Sequence, residues 1–298
     1  MDPVWAVDAV AEPPGKGELT VGPTALRIIV GARLRSLREA AVVTALDAGH
    51  TIRGSHSKIS RMEAGKTRFK LRDVGDLLTF YGIGDDEERA EILAMAELAN
   101  RPPWWSAYGD VIPDWFDAYL GFEQAAGLIR GYDAQFVPGL LQTAGYAEAV
   151  IRLSHENMAD PEIVRRVDLR MRRQQVLFRP DPVKLWVIMD EAVLRRPVGS
   201  PEIMRAQLRH LIGVAALPHV TVQLLPFCAG GHLAAGGPVS IVRFRENLIP
   251  DVVYLEHLMT ADYYDRPASV ARYWDVMNRL SVLAEPPDAT LTLLDEIR

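Results

Sequence analysis

The chain has few of the features that mark secreted, membrane-bound and metal-binding proteins. Its 298 residues include a single cysteine, Cys228, so no disulfide can form within the chain, which favours a reducing compartment. The first residues combine prolines with acids instead of a basic start, and no apolar run approaches the ~20 residues that span a bilayer. We therefore expect a cytoplasmic protein with neither a signal peptide nor a membrane segment.

Sequence motifs for catalysis and for cofactors are also missing. The seven histidines form no H-x-H or H-E-x-x-H pair, and neither a C-x-x-C nor a phosphate-binding glycine motif occurs, so we expect no metal and no cofactor. Asp190 and Glu191 follow a predicted strand, where α/β proteins place chemistry, but acids at a helix start usually only stabilise the helix. Cys228 and His232 share a glycine-rich loop without a recognisable catalytic frame. We predict no catalytic residues and no enzyme activity.

The charge is distributed unevenly along the chain. The net charge of −6 alone argues against binding to nucleic acid. Residues 21–70, however, contain ten Lys or Arg against three Asp or Glu, a local charge of +7, and the remainder of the chain carries −13. A basic module on an acidic body is typical of a protein that faces DNA at one place.

Residues 44–65 contain the pattern that organises the chain, two short helices joined by a tight turn. Thr44 can cap the first helix and Ser55 the second, which ends at Gly65. On the second helix Ile59 and Met62 point toward the core. The other side chains donate hydrogen bonds, as in a helix whose N-terminal end enters a major groove, although a solvated polar face is the common alternative. They are His56, Ser57, Lys58, Ser60 and Arg61.

The frame around this helix pair extends from residue 26 to 98. It includes Leu34, Leu37 and Arg38 in the preceding helix, then Thr44, and then the run Ser-x-x-Lys-Ile-Ser-Arg-Met-Glu before Gly65. This frame resembles the helix-turn-helix domains of the phage-repressor, Xre-like class. The resemblance implies a five-helix, lambda-repressor-like domain that binds double-stranded DNA.

The resemblance also implies roles for individual residues. It implies base contacts for His56, Ser57 and Arg61, and phosphate contacts for Thr44, Lys66, Thr67 and Arg68. We add Ser60 to the base-contacting residues and Lys58 to the phosphate-contacting residues, because both lie on the same outward side. Arg38 and Glu63 are implied as a structural pair. Ala45 departs from the class, which often has a phosphate-contacting Gln there.

The second half of the chain alternates predicted strands and helices, which indicates a mixed α/β domain with a small sheet. The predicted strands are 185–189, 220–225, 239–244 and 252–255, and residues 121–129 are interpreted as helical or mixed. The predicted helices include 146–153, 163–177, 201–215, 268–283 and 291–297. The arginines between 165 and 179 are interpreted as a solvated or acid-paired helix face, and a secondary phosphate or ligand contact is the less favoured alternative.

The whole chain is therefore predicted to be mainly α with an α/β part, in four segments. They are a flexible tail at 1–20, a helix-turn-helix domain at 21–100, a Pro/Trp-rich linker packing between domains at 101–118, and an α/β domain at 119–298.

Several motifs of the second half occur together. They are Trp104-Trp105, Val-Pro-Gly-Leu-Leu-Gln-Thr at 137–143, Asp-Glu-Ala-Val-Leu-Arg at 190–195 and Val-Tyr-Leu-Glu at 253–256. This half resembles the large C-terminal domain of unknown function behind helix-turn-helix modules in many actinobacterial regulators of the WhiJ-like, antitoxin-like type. The resemblance implies a small companion protein encoded nearby, and it implies no known reaction.

These observations predict a sequence-specific DNA-binding transcription regulator. Its C-terminal domain would dimerise, or would sense a small partner protein or ligand, and two copies would bind a palindromic operator as a homodimer. One alternative is an antitoxin-like protein that mainly holds its companion, with DNA binding used for autoregulation. A second alternative is a helix-turn-helix domain fused to an enzyme of unknown reaction.

Overall fold

The computed structural model describes residues 22–155, 157–234, 237–245 and 250–297. The tail predicted at 1–20 lies outside the described residues, as do Ala235 and Gly236 of the glycine-rich loop. Within the described ranges, no helix is long and apolar enough to cross a membrane.

Five helices form the N-terminal domain, and local signals in the sequence set their ends. Pro23 occupies the first position of α1, where its missing N–H is not needed. Thr44 caps α2, and its hydroxyl accepts the Asp47 N–H at 3.1 Å. Asp85 caps α5. The helices are α1 Pro23–Ala40, α2 Ala45–Thr51, α3 His56–Glu63, α4 Leu71–Phe80 and α5 Asp86–Ala99.

The C-terminal domain combines helices with one sheet. Its α-helices are α6 Asp114–Ala125, α7 Ala144–Ser154, α8 Asp160–Arg173, α9 Glu191–Arg195, α10 Pro201–Ala215, α11 Pro267–Leu283 and α12 Pro287–Ile297. Its strands are β1 Ala126–Asp133, β2 Lys184–Asp190, β3 Val220–Leu225, β4 Val239–Phe244, β5 Val252–Glu256 and β6 Ala261–Tyr264. Short 3₁₀ helices occupy Trp104–Tyr108, Gly139–Leu141, Gln174–Leu177 and Phe227–Ala229.

The strands form a mixed sheet in the order β3-β2-β1-β4-β5-β6. β1, β2 and β3 are parallel, while β4, β5 and β6 are added antiparallel, so the strand direction changes between β1 and β4. The carboxyl ends of β1 and β2, at Asp133 and Asp190, share one edge of the sheet. That edge is where open α/β sheets place ligands.

This architecture confirms the predicted helical domain followed by a mixed α/β domain with a small sheet. The strands β1 and β6 were not predicted. β1 begins at Ala126, inside the stretch interpreted as helical or mixed, and it is a central strand. Its two glycines and Arg130, a cation only 3% exposed, hide the apolar pattern of a buried strand.

The two domains are in contact through α1 and α6. A Cβ on Gly121 of α6 would lie 2.1 Å from Thr24 Cγ2 of α1, so the close approach requires glycine there. The segment predicted as a linker at 101–118 already contains the start of α6. Trp105, 1% exposed, packs in a cluster with Leu120 and Leu169 of the C-terminal domain, so this segment is largely built into that domain.

Several arginines of α8 contact other groups of the same chain. Arg173 makes a buried ion pair with Glu123 at 2.8 Å, and Arg165 pairs with Asp110 at 2.5 Å. Arg170 donates to the Gln142 side chain at 2.9 Å. The two ion pairs agree with the interpretation of an acid-paired helix face, and the buried pair with Glu123 makes Arg173 unavailable to phosphate.

Candidate nucleic-acid interface

Helix α3 is fixed at both ends by its own sequence. Ser55 caps its start, and the Ser55 hydroxyl accepts the Lys58 N–H at 3.3 Å. At its end Gly65 adopts a left-handed φ of +66°, and the Lys66 N–H donates to the Arg61 carbonyl at 2.9 Å, which is a Schellman motif. A Cβ on Gly65 would lie 2.8 Å from Ile28 Cα of α1, so glycine is required for two independent reasons.

The turn between α2 and α3 repeats the same motif with a different residue. Arg53 takes the left-handed position at φ +51°, and the Gly54 N–H donates to the Gly49 carbonyl at 2.8 Å. A Cβ on Gly49 would lie 3.0 Å from the carbonyl carbon of Ser55, so the small residue lets α2 approach the start of α3. The turn thereby fixes the angle at which α3 leaves the domain.

The two sides of α3 differ in burial and in hydrogen bonding. Ile59 and Met62 are 1% and 2% exposed and belong to the main hydrophobic core. The opposite side presents a donor surface, which we define as the four exposed residues His56, Ser57, Ser60 and Arg61. Within the described residues, none of these four side chains has a hydrogen bond or an ion pair.

An ion pair connects α1 to the end of α3. Arg38 and Glu63 make a two-point contact, and their side chains are 12% and 9% exposed. The hydrogen bond to Glu63 is the main cause that raises the pKa of Arg38. Among the described residues the buried Tyr81 hydroxyl has no hydrogen-bond partner, and burial raises the pKa of Tyr81 to about 12. The structure thus brings together the two residues implied as a structural pair.

Lys58 differs from the other polar residues of α3. Its ammonium lies 2.5 Å from Asp73 Oδ2 of α4, and the Asp73 side chain is only 13% exposed. Lys58, predicted to contact phosphate, is therefore already neutralised by a carboxylate of its own domain. The sequence does not indicate this role of Asp73, because an acid in the first turn of a helix usually signals only helix stabilisation.

The residues predicted to contact phosphates lie on both sides of α3 in the chain. Thr44 is exposed at the start of α2, where its hydroxyl donates to Asp47 Oδ2 at 2.5 Å. Lys66 and Arg68 are exposed, and Thr67 is half-buried. Helix starts and exposed cations of this kind favour phosphate oxygens.

The loop that carries these cations is held by a residue that sequence reasoning missed. Asn100, at the end of α5, accepts the Phe69 N–H at 2.9 Å and donates to the Phe69 carbonyl at 2.7 Å. Phe69 is 3% exposed and packs in the core. The partners are 31 positions apart, and no local pattern indicates such a contact.

Two family models match the chain. Residues 29–92 match a helix-turn-helix domain, and residues 116–296 match a domain of unknown function (DUF5753). The first match covers α2, α3 and the helices that hold them, and it supports DNA binding and transcription regulation. A search of curated proteins and a search of solved structures each gave no match.

Proposed function

The chain belongs to the DUF5753 family, and we propose that it is a sequence-specific DNA-binding regulator whose C-terminal domain dimerises and responds to a ligand or partner. The observation that supports sequence-specific binding is the donor surface of α3. Four exposed side chains without partners in the described residues stand on a helix whose opposite side is buried. Hydrogen-bonding groups left free in this way are available to base edges.

In this proposal α3 lies in the major groove and each group of residues has a distinct task. The Arg61 guanidinium makes the paired contacts that a guanine accepts, while His56, Ser57 and Ser60 contact neighbouring base edges. Thr44, Lys66, Thr67 and Arg68 contact phosphates and fix the register. Lys58, held by Asp73, orients α3 instead of contacting phosphate.

One module of this size makes few base contacts, so we propose that two copies bind together. Half-sites about one helical turn apart, ~34 Å, would be contacted by two copies of α3. The C-terminal domain would set that spacing by dimerising. Its acidic character would disfavour contact with DNA, so the basic module would face the duplex.

A partner-binding, antitoxin-like role is the second candidate, and an exposed apolar turn favours it. Leu258 and Met259, between β5 and β6, are 91% and 77% exposed. Adjacent apolar side chains at a strand turn are a common feature of protein-binding surfaces. If a small companion protein co-purifies and leaves DNA affinity unchanged, this role gains support over regulation by a ligand. We propose no reaction for the chain.

Selection of binding sites from a pool of random duplexes tests the proposed function. We expect the full-length chain to enrich a sequence with two related half-sites whose centres are about 10 base pairs apart. Enrichment without a shared sequence would contradict sequence-specific binding. Enrichment of a single half-site would contradict the proposed dimer.

A further inference from the structure

A cavity of about 780 Å³ lies in the C-terminal domain, between α11 and the loop that follows β3. The cavity is wide open to solvent, and its volume falls in the range of roughly 300–1,000 Å³ that is typical of small-molecule sites. The cavity is lined in part by His232, which lies 3.9 Å from Asp190 at the carboxyl end of β2. The cavity therefore adjoins the sheet edge at which α/β domains bind ligands.

The walls of the cavity are mainly apolar and exposed to solvent. Leu233 from the loop and Val282 and Leu283 from α11 are 55%, 84% and 45% exposed, and all three line the cavity. Single exposed apolar side chains are common on protein surfaces, but three that converge on one cavity provide a site for an apolar molecule.

Asn278 forms the polar end of the cavity, and a hydrogen bond from the buried Arg130 fixes the orientation of its side chain. Arg130 donates to Asn278 Oδ1 at 2.6 Å and to the Met277 carbonyl at 2.9 Å. The Asn278 side-chain oxygen accepts the hydrogen bond from Arg130. The NH₂ group of the same side chain has no hydrogen-bond partner among the described residues. Asn278 thus offers two unused N–H donors at the cavity wall.

Arg130 adds positive charge behind that wall. Its side chain is 3% exposed, and its guanidinium lies 4.0 Å from the centre of the Trp186 ring. In the described part of the chain no carboxylate pairs with it, and its Nε atom has no partner. Burial lowers the pKa of Arg130. A buried cation without a counter-ion attracts negative charge into the space in front of it.

Further polar groups lie at the cavity wall and behind it. The Ala234 N–H donates to His232 Nδ1 at 3.3 Å, so the proton of neutral His232 lies on Nε2, which faces the Tyr132 hydroxyl at 3.3 Å. Asp190 lies behind His232 and caps α9 through the Ala192 N–H. Arg279 also lines the cavity and pairs with Asp275 at 3.0 Å on the exposed side of α11, and no carboxylate lines the cavity among the described residues.

We propose that this cavity binds a small amphipathic anion, with its apolar body against Leu233, Val282 and Leu283 and its acidic group toward Asn278 and Arg279. The site would be the ligand-sensing part of the proposed regulator. The ligand-sensing role of the site rests on the proposed function. The binding of the anion does not, because it is inferred from the cavity and its lining residues alone.

Two fluorescent probes that differ in one group test the proposal on the full-length chain. 8-Anilinonaphthalene-1-sulfonate carries the negative charge, and N-phenyl-1-naphthylamine is the same ring system without the sulfonate. We expect one sulfonate probe per chain, bound on the order of tenfold or more tightly than the neutral probe, because the sulfonate accepts charge-assisted hydrogen bonds that the neutral probe cannot make.

Two matched variants identify the site. Val282→Glu places a carboxylate at the mouth of the cavity, and we expect it to weaken the sulfonate probe on the order of tenfold. Val164→Glu makes the same chemical change at a 66% exposed residue of α8 outside the cavity lining, and it should leave probe binding unchanged. Both positions are exposed, so circular dichroism should show intact folding in both variants.

The outcomes separate this inference from the proposed function. Equal affinity for the two probes, or equal loss in the two variants, would overturn the anion site. Binding of the selected DNA sequence is measured on the same samples. Normal DNA binding without the expected probe binding would overturn the cavity proposal alone, whereas normal probe binding without sequence preference would support the cavity and contradict the regulator.

Discussion

Arg38 Nε lies 2.6 Å from Glu63 Oε1, and Arg38 Nη2 lies 3.0 Å from Glu63 Oε2, so α1 holds the last residue of α3 at two points. Both side chains are largely buried. A pair of this kind fixes the orientation of the helix that carries the donor surface, because a shift of α3 would separate both hydrogen bonds.

Glu63→Ala tests this pair. The substitution leaves the Arg38 cation mostly buried without its carboxylate, so we expect the free energy of unfolding to fall by about 2–3 kcal/mol. Glu148→Ala is the control, because Glu148 is 46% exposed and pairs with Arg152 at the surface. Its expected effect is below ~0.5 kcal/mol. Urea denaturation measures both, and equal losses would show that the pair has no special role.

Two residues with left-handed backbone conformations, Val42 and Gly65, give a second prediction. Substitutions at these positions should change the stability of the fold in opposite directions. Val42 has φ +56° and is 90% exposed, so Val42→Gly should relieve strain and stabilise the fold by about 1 kcal/mol. Gly65→Ala adds both strain and a contact with Ile28, so it should destabilise the fold by about 2–4 kcal/mol. Thermal unfolding checks both, and a lower melting temperature for Val42→Gly would contradict the argument.

The Lys58–Asp73 contact predicts a change in salt dependence. Asp73→Asn frees the Lys58 ammonium, which can then reach a phosphate, so the slope of log K against log[salt] should steepen by about 0.9. Asp76→Asn removes the same charge from the same helix and leaves Lys58 paired. Binding titrations at several salt concentrations measure the slopes. Identical slopes for the two variants would mean that Lys58 stays away from phosphates.

Asp133 predicts a pH dependence of stability. Burial, with a smaller effect of the Glu256 charge, raises the pKa of Asp133 to about 7. The unfolded chain has an Asp pKa of ~3.9, so the folded state binds the extra proton between these values. Stability should therefore fall as the pH rises from about 4 to 7, by at most ~1.4 kcal/mol per unit from this group.

Asp133→Asn should flatten that part of the stability profile. Asp265→Asn, at an exposed residue directly after β6, is the control and should keep the wild-type slope. Denaturation series at pH 4, 5, 6 and 7 give the two profiles. A slope that survives in Asp133→Asn would assign the effect to other groups.

The elements of the N-terminal domain could be predicted because their signals are local. Ser55 and Gly65 mark the ends of α3, and the three-residue spacing of Ile59 and Met62 marks its buried side. Contacts between distant residues leave no such signal. The sequence around Lys58 predicts an exposed, unpaired cation, because no local pattern indicates the ion pair with Asp73 fifteen positions later in the chain.

In the C-terminal domain the apolar strands were predictable and the central strand β1 was not. The β2 sequence Leu-Trp-Val-Ile-Met is a continuous apolar run, which indicates a buried parallel strand. The central strand β1 instead contains Arg130 among its buried residues. Contacts with Trp186 and Asn278 cover its guanidinium. The cavity could not be predicted either, because the loop and α11 that form it are distant in the chain.

The most direct test of the account is the affinity of Arg61→Ala for the selected duplex and for a scrambled duplex of equal length, measured by fluorescence anisotropy. Arg209→Ala, at an exposed arginine of α10, is the control. We expect Arg61→Ala to weaken the selected duplex by ~1–3 kcal/mol and the scrambled duplex far less, with relaxed preference at one base pair and no change for the control. Equal weakening on the two duplexes would contradict the assignment of the donor surface to base edges.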